Sequence, residues 1–470
     1  MKTKQIFTVL TILSLVLFAS MSRAAWITAI NSGSWGDTNV WDSGTVPGTN
    51  DFAEIDPGYN ITVDTNAIVQ YIIGNGAAGG TVTMAANSTL EILDSSVSGT
   101  FELGLLDTSA SGNTVIYYDN PFYAKRQNYY NLVFNNTTTN LNDFYNGLVS
   151  SQIPATAMTI AGDMTVIGKT KVQQGDDFTI NGNLILTSNA SWDCSSFNLT
   201  VKSNLNLGVG ALMIDLDGAL GSNYFGGNVI VTSSALGWNL TDVTTWGIGG
   251  SLTNNGTIVG RGYGSIFFNG TGNIVGKSFK IPTMTINGTY AIGATITLST
   301  NAPTINGTVV FDIARTNQIV LNAGTNWLWY TTNGTLNVIN SGAEPAVGNS
   351  FQLFKASNNH YGGGFASISL PLLSGGHIWV DNLLTSGSIA VANGSAGSPI
   401  ITLSSSGGLL TLSWDSTTFP GYRVLALTNS AGVITNLSHS WLPTGSGTNS
   451  PFTIPINPAN PAVFFRLSNP

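Results

Sequence analysis

Acid–base chemistry needs carboxylates held a few ångströms apart, and this chain is sparing with them. Of its 470 residues only 23 are Asp or Glu; the four Glu (Glu54, Glu91, Glu102 and Glu344) are widely scattered, and there are three His. Two close pairs fall in the middle of the chain, Asp176-Asp177 and Asp215 with Asp217. The second is spaced i, i+2, which on a strand places both carboxylates on one face. From that arrangement a polysaccharide hydrolase or lyase draws an acid and a base, or Ca²⁺ its oxygen ligands. Asp215 and Asp217 are therefore the catalytic candidates, and the simpler expectation for them is a solvated rim. A Ser-His-Asp arrangement finds no support: His360 and His377 lie in Gly-rich stretches, His439 lies in a separate C-terminal region, and no Gly-x-Ser-x-Gly elbow precedes a helix. Cys194 with three His cannot supply a conventional zinc site, Gly362–Gly364 lacks the Lys of a phosphate loop, and no metal or cofactor is expected. Aromatic residues are the better lead. Trp327 and Trp329, two apart on a strand with Tyr330 opposite, would stack on sugar rings if they face outward and form a wide core layer if they face inward. The aromatic-dense stretch from Tyr117 to Tyr145 carries the same two alternatives.

What must position such residues is a repeat. A nine-residue unit, apolar-Thr-apolar, a three-residue turn, then apolar-x-apolar, recurs at Met158–Val166, Phe178–Leu186, Leu199–Leu207, Met284–Ile292 and Pro303–Phe311, with looser copies from Asn223, Trp246, Ile266 and Tyr330. Starts are spaced 20, 21, 24, 23, 20, 18, 19 and 27 residues apart. The apolar period inside each unit is two, so the repeat is one coil of a β-solenoid and not a helical array. One coil cannot cover its own apolar side chains or pair its two backbone edges, so coils must stack. Nine Asn-Gly pairs, among them Asn181-Gly182, Asn269-Gly270, Asn287-Gly288 and Asn306-Gly307, fit turns that demand positive φ.

Composition agrees with an all-β chain: 42% hydrophobic, 8% charged, 55 Gly. Lys2 and Lys4 followed by the apolar run Ile6–Phe18 and Ser22-Arg23-Ala24 read as a signal peptide, residues 1–24, cleaved after Ala24. The mature chain then carries 12 basic and 23 acidic residues, a net charge of −11. Such a charge repels phosphate backbones, which argues against nucleic acid, and no transmembrane helix is expected after signal cleavage. Residues 25–150 read as the opening of the solenoid, with Trp26, Trp35 and Trp41 plugging its end and an aromatic-rich segment behind them. Residues 151–392 hold the solenoid repeats and 393–399 a Gly/Ser linker. Strand-like runs over 400–470 suggest a small β-sandwich-like domain. The fold expected is thus all-β, a parallel β-helix or β-solenoid followed by that domain.

Three stretches carry a family resemblance. Gly348–Phe354, Gly364–Pro371 and Trp379–Val391 resemble the closing segment of autotransporter-associated β-strand repeat proteins. The tail, with Leu412-Ser413-Trp414, Gly421–Val424, Trp441 and Phe464–Leu467, looks like the C-terminal module of secreted proteins of Verrucomicrobia-like bacteria, and Trp35–Asp64 is similar to their start. The resemblance implies a large exported β-helical protein, extracellular or at the cell surface. A membrane β-barrel of the autotransporter kind has no room after residue 398. The functional expectation is a non-catalytic structural or adhesin-like protein whose partners are extracellular polysaccharide or cell-surface glycans; a polysaccharide-active lyase or hydrolase is the alternative.

Overall fold

The computed structural model describes residues 24–74, 79–93, 104–118, 124–136, 142–145, 157–214, 221–233, 237–240, 244–260, 264–322, 328–330, 333–393, 399–416, 419, 422–428, 442–443, 450–457 and 463–468. The leader segment, Asp215, Asp217 and Trp327 lie outside this set. The chain divides into two compact units. One comprises residues to Ala343 with Gln352–Pro371 and Asn382–Ser388; the other comprises Glu344–Phe351, Leu372–Asp381 and the residues from Ile389.

In the first unit the alternating pattern becomes alternating burial. Met158–Ile160, Phe178–Ile180 and Leu199–Val201 each bury their outer two residues and leave the central Thr half-exposed. After the turn, Met164–Ile167 starts the next strand, a corner leads into Thr170–Gln173, and the following coil begins at Phe178. The regular coils therefore contribute a strand to each of three parallel sheets. Among the described residues the first face has eight strands, the second fourteen and the third ten. The second face runs from Ala67–Val69 to Ser367–Ser369, so the opening coils belong to the same stack.

Register reproduces the sequence period. Met158 pairs with Phe178 and Phe178 with Leu199, offsets of 20 and 21. Thr200 pairs with Tyr224, Asn223 with Trp246, Trp246 with Ile266, Ile266 with Met284 and Thr285 with Thr304, offsets of 24, 23, 20, 18 and 19. The last spacing, 27, appears on the second face, where Thr308 pairs with Thr335. The coil length varies because the corners absorb insertions while the strand pairs stay aligned, as a face-specific core requires.

Two expectations are corrected. The Asn-Gly glycines of the described coils do not occupy positive φ; the positive-φ positions lie elsewhere, for example at Gly168, Gly210 and Asn189. Their requirement is for space between coils. A Cβ on Gly270 would sit 1.9 Å from the Gly249 carbonyl oxygen, one on Gly288 1.7 Å from that of Gly270, and one on Gly307 2.0 Å from that of Gly288. The Asn partners stack as an amide ladder, Asn287 Nδ2 donating to Asn269 Oδ1 and Asn306 Nδ2 to Asn287 Oδ1, each at 2.9 Å. At the N-terminal end only two of the three tryptophans are buried. Trp35 and Trp41 meet edge to face at 5.2 Å, and the Trp41 indole donates to the Trp35 carbonyl at 3.0 Å. Trp26 is 57% exposed and stacks on Phe52.

In the second unit two antiparallel sheets, Thr402–Ser406 with Leu409–Ser413 and Phe452–Pro455, and Leu442–Pro443 with Arg423–Thr428 and Val463–Ser468, share a core of Leu412, Trp414 and Val424. That is a small sandwich, built as the alternating runs predict. Among the described residues no helix is long and apolar enough to cross a membrane.

Candidate functional site

Several of the described carboxylates hold coils together. Asp163 Oδ1 accepts from the Asn183 backbone N–H at 2.6 Å and from its amide at 3.0 Å; Asn183 Oδ1 takes the Asn204 amide at 2.9 Å, Asn204 the Asn228 N–H at 2.7 Å and Asn228 the Ser251 N–H at 2.8 Å. The turn that enters the second face thus carries a side-chain ladder across consecutive coils. Asp177, one of the close pair with Asp176, does the same for Asn198, accepting its N–H at 2.9 Å. Asp193 is buried beside Lys171, Oδ2 to Nζ 3.2 Å. Burial raises the Asp312 carboxyl, but hydrogen bonds from Ser341 and Ala314 and the Arg315 charge outweigh it and leave the group below the ordinary aspartate range. Asp177 therefore fastens neighbouring coils, while Asp176 Oδ1 accepts the Asp177 N–H at 2.7 Å.

Of the sequence-derived binding candidates, Trp329 and Tyr330 lie on the strand Leu328–Tyr330, which pairs in parallel with Tyr361–Gly363. Their backbone alone is described, so the facing of their side chains lies outside the described structure, like Trp327. In the Tyr117–Tyr145 stretch, Tyr117, Tyr129 and Phe134 are core residues. The Tyr117 and Tyr129 hydroxyls are 3.0 Å apart, and burial pushes the Tyr117 phenol up to about 12 and Tyr129 well above its ordinary value. Beside them a cavity of about 420 Å³ opens between Leu105–Ser109, Gln127–Tyr130 and Thr159. Here a regular first-face strand is replaced by a single bridge from Tyr129 to Ile160. Gln127 Nε2 donates to the Leu106 carbonyl at 2.7 Å, Thr108 Oγ1 to that of Asn128 at 2.9 Å, and the Asn128 amide oxygen accepts from Thr159 N–H at 2.8 Å. Side chains there do the work of a missing strand.

The outer surface of the first face is the better candidate. Its central outward column runs Thr159, Thr179, Thr200, Tyr224, Gly247, Phe267, Thr285 and Thr304, one residue per coil. Tyr224 is 41% exposed, and its ring lies along the next strand: a Cβ on Gly247 would meet Cδ2 at 2.9 Å, and one on Gly249 would meet the phenol oxygen at 3.2 Å. Gly247 is buried at an outward position because this ring covers it. A second outward column, Ser222, Thr245, Ser265 and Thr283, lies two residues earlier on the same strands, with Ser222 and Thr245 hydroxyls 2.8 Å apart. The exposed amides of Asn269, Asn287 and Asn306 border the other side. No outward position on the first-face strands from Ser222 to Ile305 is charged.

This column was not singled out from sequence, yet a signal exists. The copies that begin at Asn223, Trp246 and Ile266 read as loose because the Thr of the apolar-Thr-apolar unit is replaced there by Tyr224, Gly247 and Phe267. No family model, curated protein or solved structure matches the chain.

Proposed function

We propose that this is an exported, non-catalytic structural protein of the adhesin-like kind, extracellular or at the cell surface, whose solenoid displays a glycan-binding face. The observation that carries the reading is the fourteen-stranded ladder on the second face, which makes one continuous scaffold of coils from Ala67 to Ser369. Its outward residues on the first face are hydroxyls, amides and aromatics, groups that hydrogen-bond and stack on sugars. Asp163, Asp177, Asn183 and Asn204 make hydrogen bonds between coils. The Lys2 to Ala24 leader pattern and the resemblance to exported autotransporter-associated repeat proteins support the location. The test is depletion of the mature chain, residues 25–470, from solution by insoluble polysaccharides. Saturable retention on at least one of cellulose, chitin, mannan and pectin is expected; equal recovery in every supernatant removes the glycan-binding part of the reading.

A further inference from the structure

Resting on that reading, we infer that the first face over the coils from Ser222 to Thr304 is a binding strip for a single chain of neutral polysaccharide that crosses the strands, running along the stack of coils. The strip has the parts such a ligand needs. Tyr224 supplies an exposed ring laid along the surface, and Phe267, half-buried in the same column two coils on, supplies a second. The two backbones stand two strand spacings apart, about 9.6 Å, and the Tyr224 ring reaches over the intervening Gly247 toward Phe267, so the two rings line one aromatic platform on which a single chain stacks. Gly247 between them keeps the surface low, and its replacement by any larger residue would drive Tyr224 off the sheet. The hydroxyl column Ser222–Thr283 runs beside both rings, and on the opposite side the amide ladder starts at Asn269, beside Phe267, and continues past Thr285 and Thr304.

The absence of charge at every outward position of these strands selects the ligand class. A uronate or sulfated chain would lose hydration of its anions on this surface and gain no counter-charge, whereas a neutral chain presents only hydroxyls and apolar ring faces. The remainder of the column, Thr159, Thr179, Thr200, Thr285 and Thr304, is β-branched and flat, which lets a longer chain continue past the aromatic pair without a clash.

The experiment is affinity electrophoresis of residues 25–470 in native gels containing hydroxyethyl cellulose, galactomannan or mixed-linkage β-glucan, with alginate as the anionic contrast. Tyr224→Ala, Phe267→Ala and Gly247→Ala are compared with Thr179→Ala, and Tyr224→Phe tests for the ring alone. Retardation of the parent chain by at least one neutral polymer is expected, weakened about tenfold or more by each of the three site variants and kept by Thr179→Ala and Tyr224→Phe. Gly247→Ala leaves the ring present but displaced, so it decides the matter should Tyr224→Ala fail to fold. Retardation unchanged in all three site variants overturns this strip and leaves glycan binding standing; retardation by alginate alone overturns the neutral class; no retardation by any polymer overturns the strip and the glycan-binding reading together.

Discussion

Lys171 and Asp193 show how a residue's environment, not its type, sets what it does. The pair sits on neighbouring strands of the third face with Asp193 at 1% side-chain exposure, and the Asp193 Oδ1 also accepts the Ser195 N–H. Removing one partner leaves a buried charge uncompensated, so Lys171→Met is expected to destabilise by about 3–5 kcal/mol, while Lys171→Met with Asp193→Leu recovers most of that loss; urea midpoints of the three chains check it. A second residue-level prediction concerns alkaline pH. Tyr117 ionises near 10 in the unfolded chain and is held up to about 12 in the fold by burial. The unfolded state releases the proton first, so this contribution to stability is fully present below pH 10 and is lost as pH rises from 10 toward 12. Urea midpoints should fall across that window, and Tyr117→Phe should flatten the fall; a midpoint independent of pH there contradicts the assignment.

At the scale of elements, coil length, strand boundaries and register were legible because a period of two inside a period of about 20 admits no other stacking. The role of the glycines was not. Asn-Gly reads as a positive-φ turn from local chemistry alone, whereas Gly270, Gly288 and Gly307 answer to a carbonyl one coil away, a contact that exists only after stacking. Gly288→Ala is therefore expected to cost at least about 2 kcal/mol, since a backbone atom must move. Gly364→Ala, with open space around its Cβ and no positive φ, should stay within about 0.5 kcal/mol. Equal midpoints for the two variants would restore the local-turn explanation. The same limit explains the site. Tyr224 and Phe267 looked like noise in a repeat, because alternation says which residues share a face and does not say which imperfect copies matter. For the aromatics of the Tyr117–Tyr145 stretch the sequence left core and binding face open, and Tyr117, Tyr129 and Phe134 are core, since only the coil's closure decides which side is inside.

For the whole molecule, a stack of coils turns a modest repeat into a surface with a fixed spacing. Each outward position recurs once per coil, about 4.8 Å apart, and polymeric ligands with their own period are what such a surface suits. The second unit contains a small sandwich with its own core around Leu412, Trp414 and Val424, so Leu412→Ala is expected to destabilise that sandwich by about 2–5 kcal/mol, read from its urea midpoint. The binder and enzyme readings part on one assay: co-sedimentation of residues 25–470 with insoluble neutral polysaccharide, reading protein in the pellet and reducing sugar in the supernatant over days. Retained protein with a constant level of reducing sugar is the result predicted; sugar that rises in proportion to the bound chain would contradict the account and make this solenoid an enzyme.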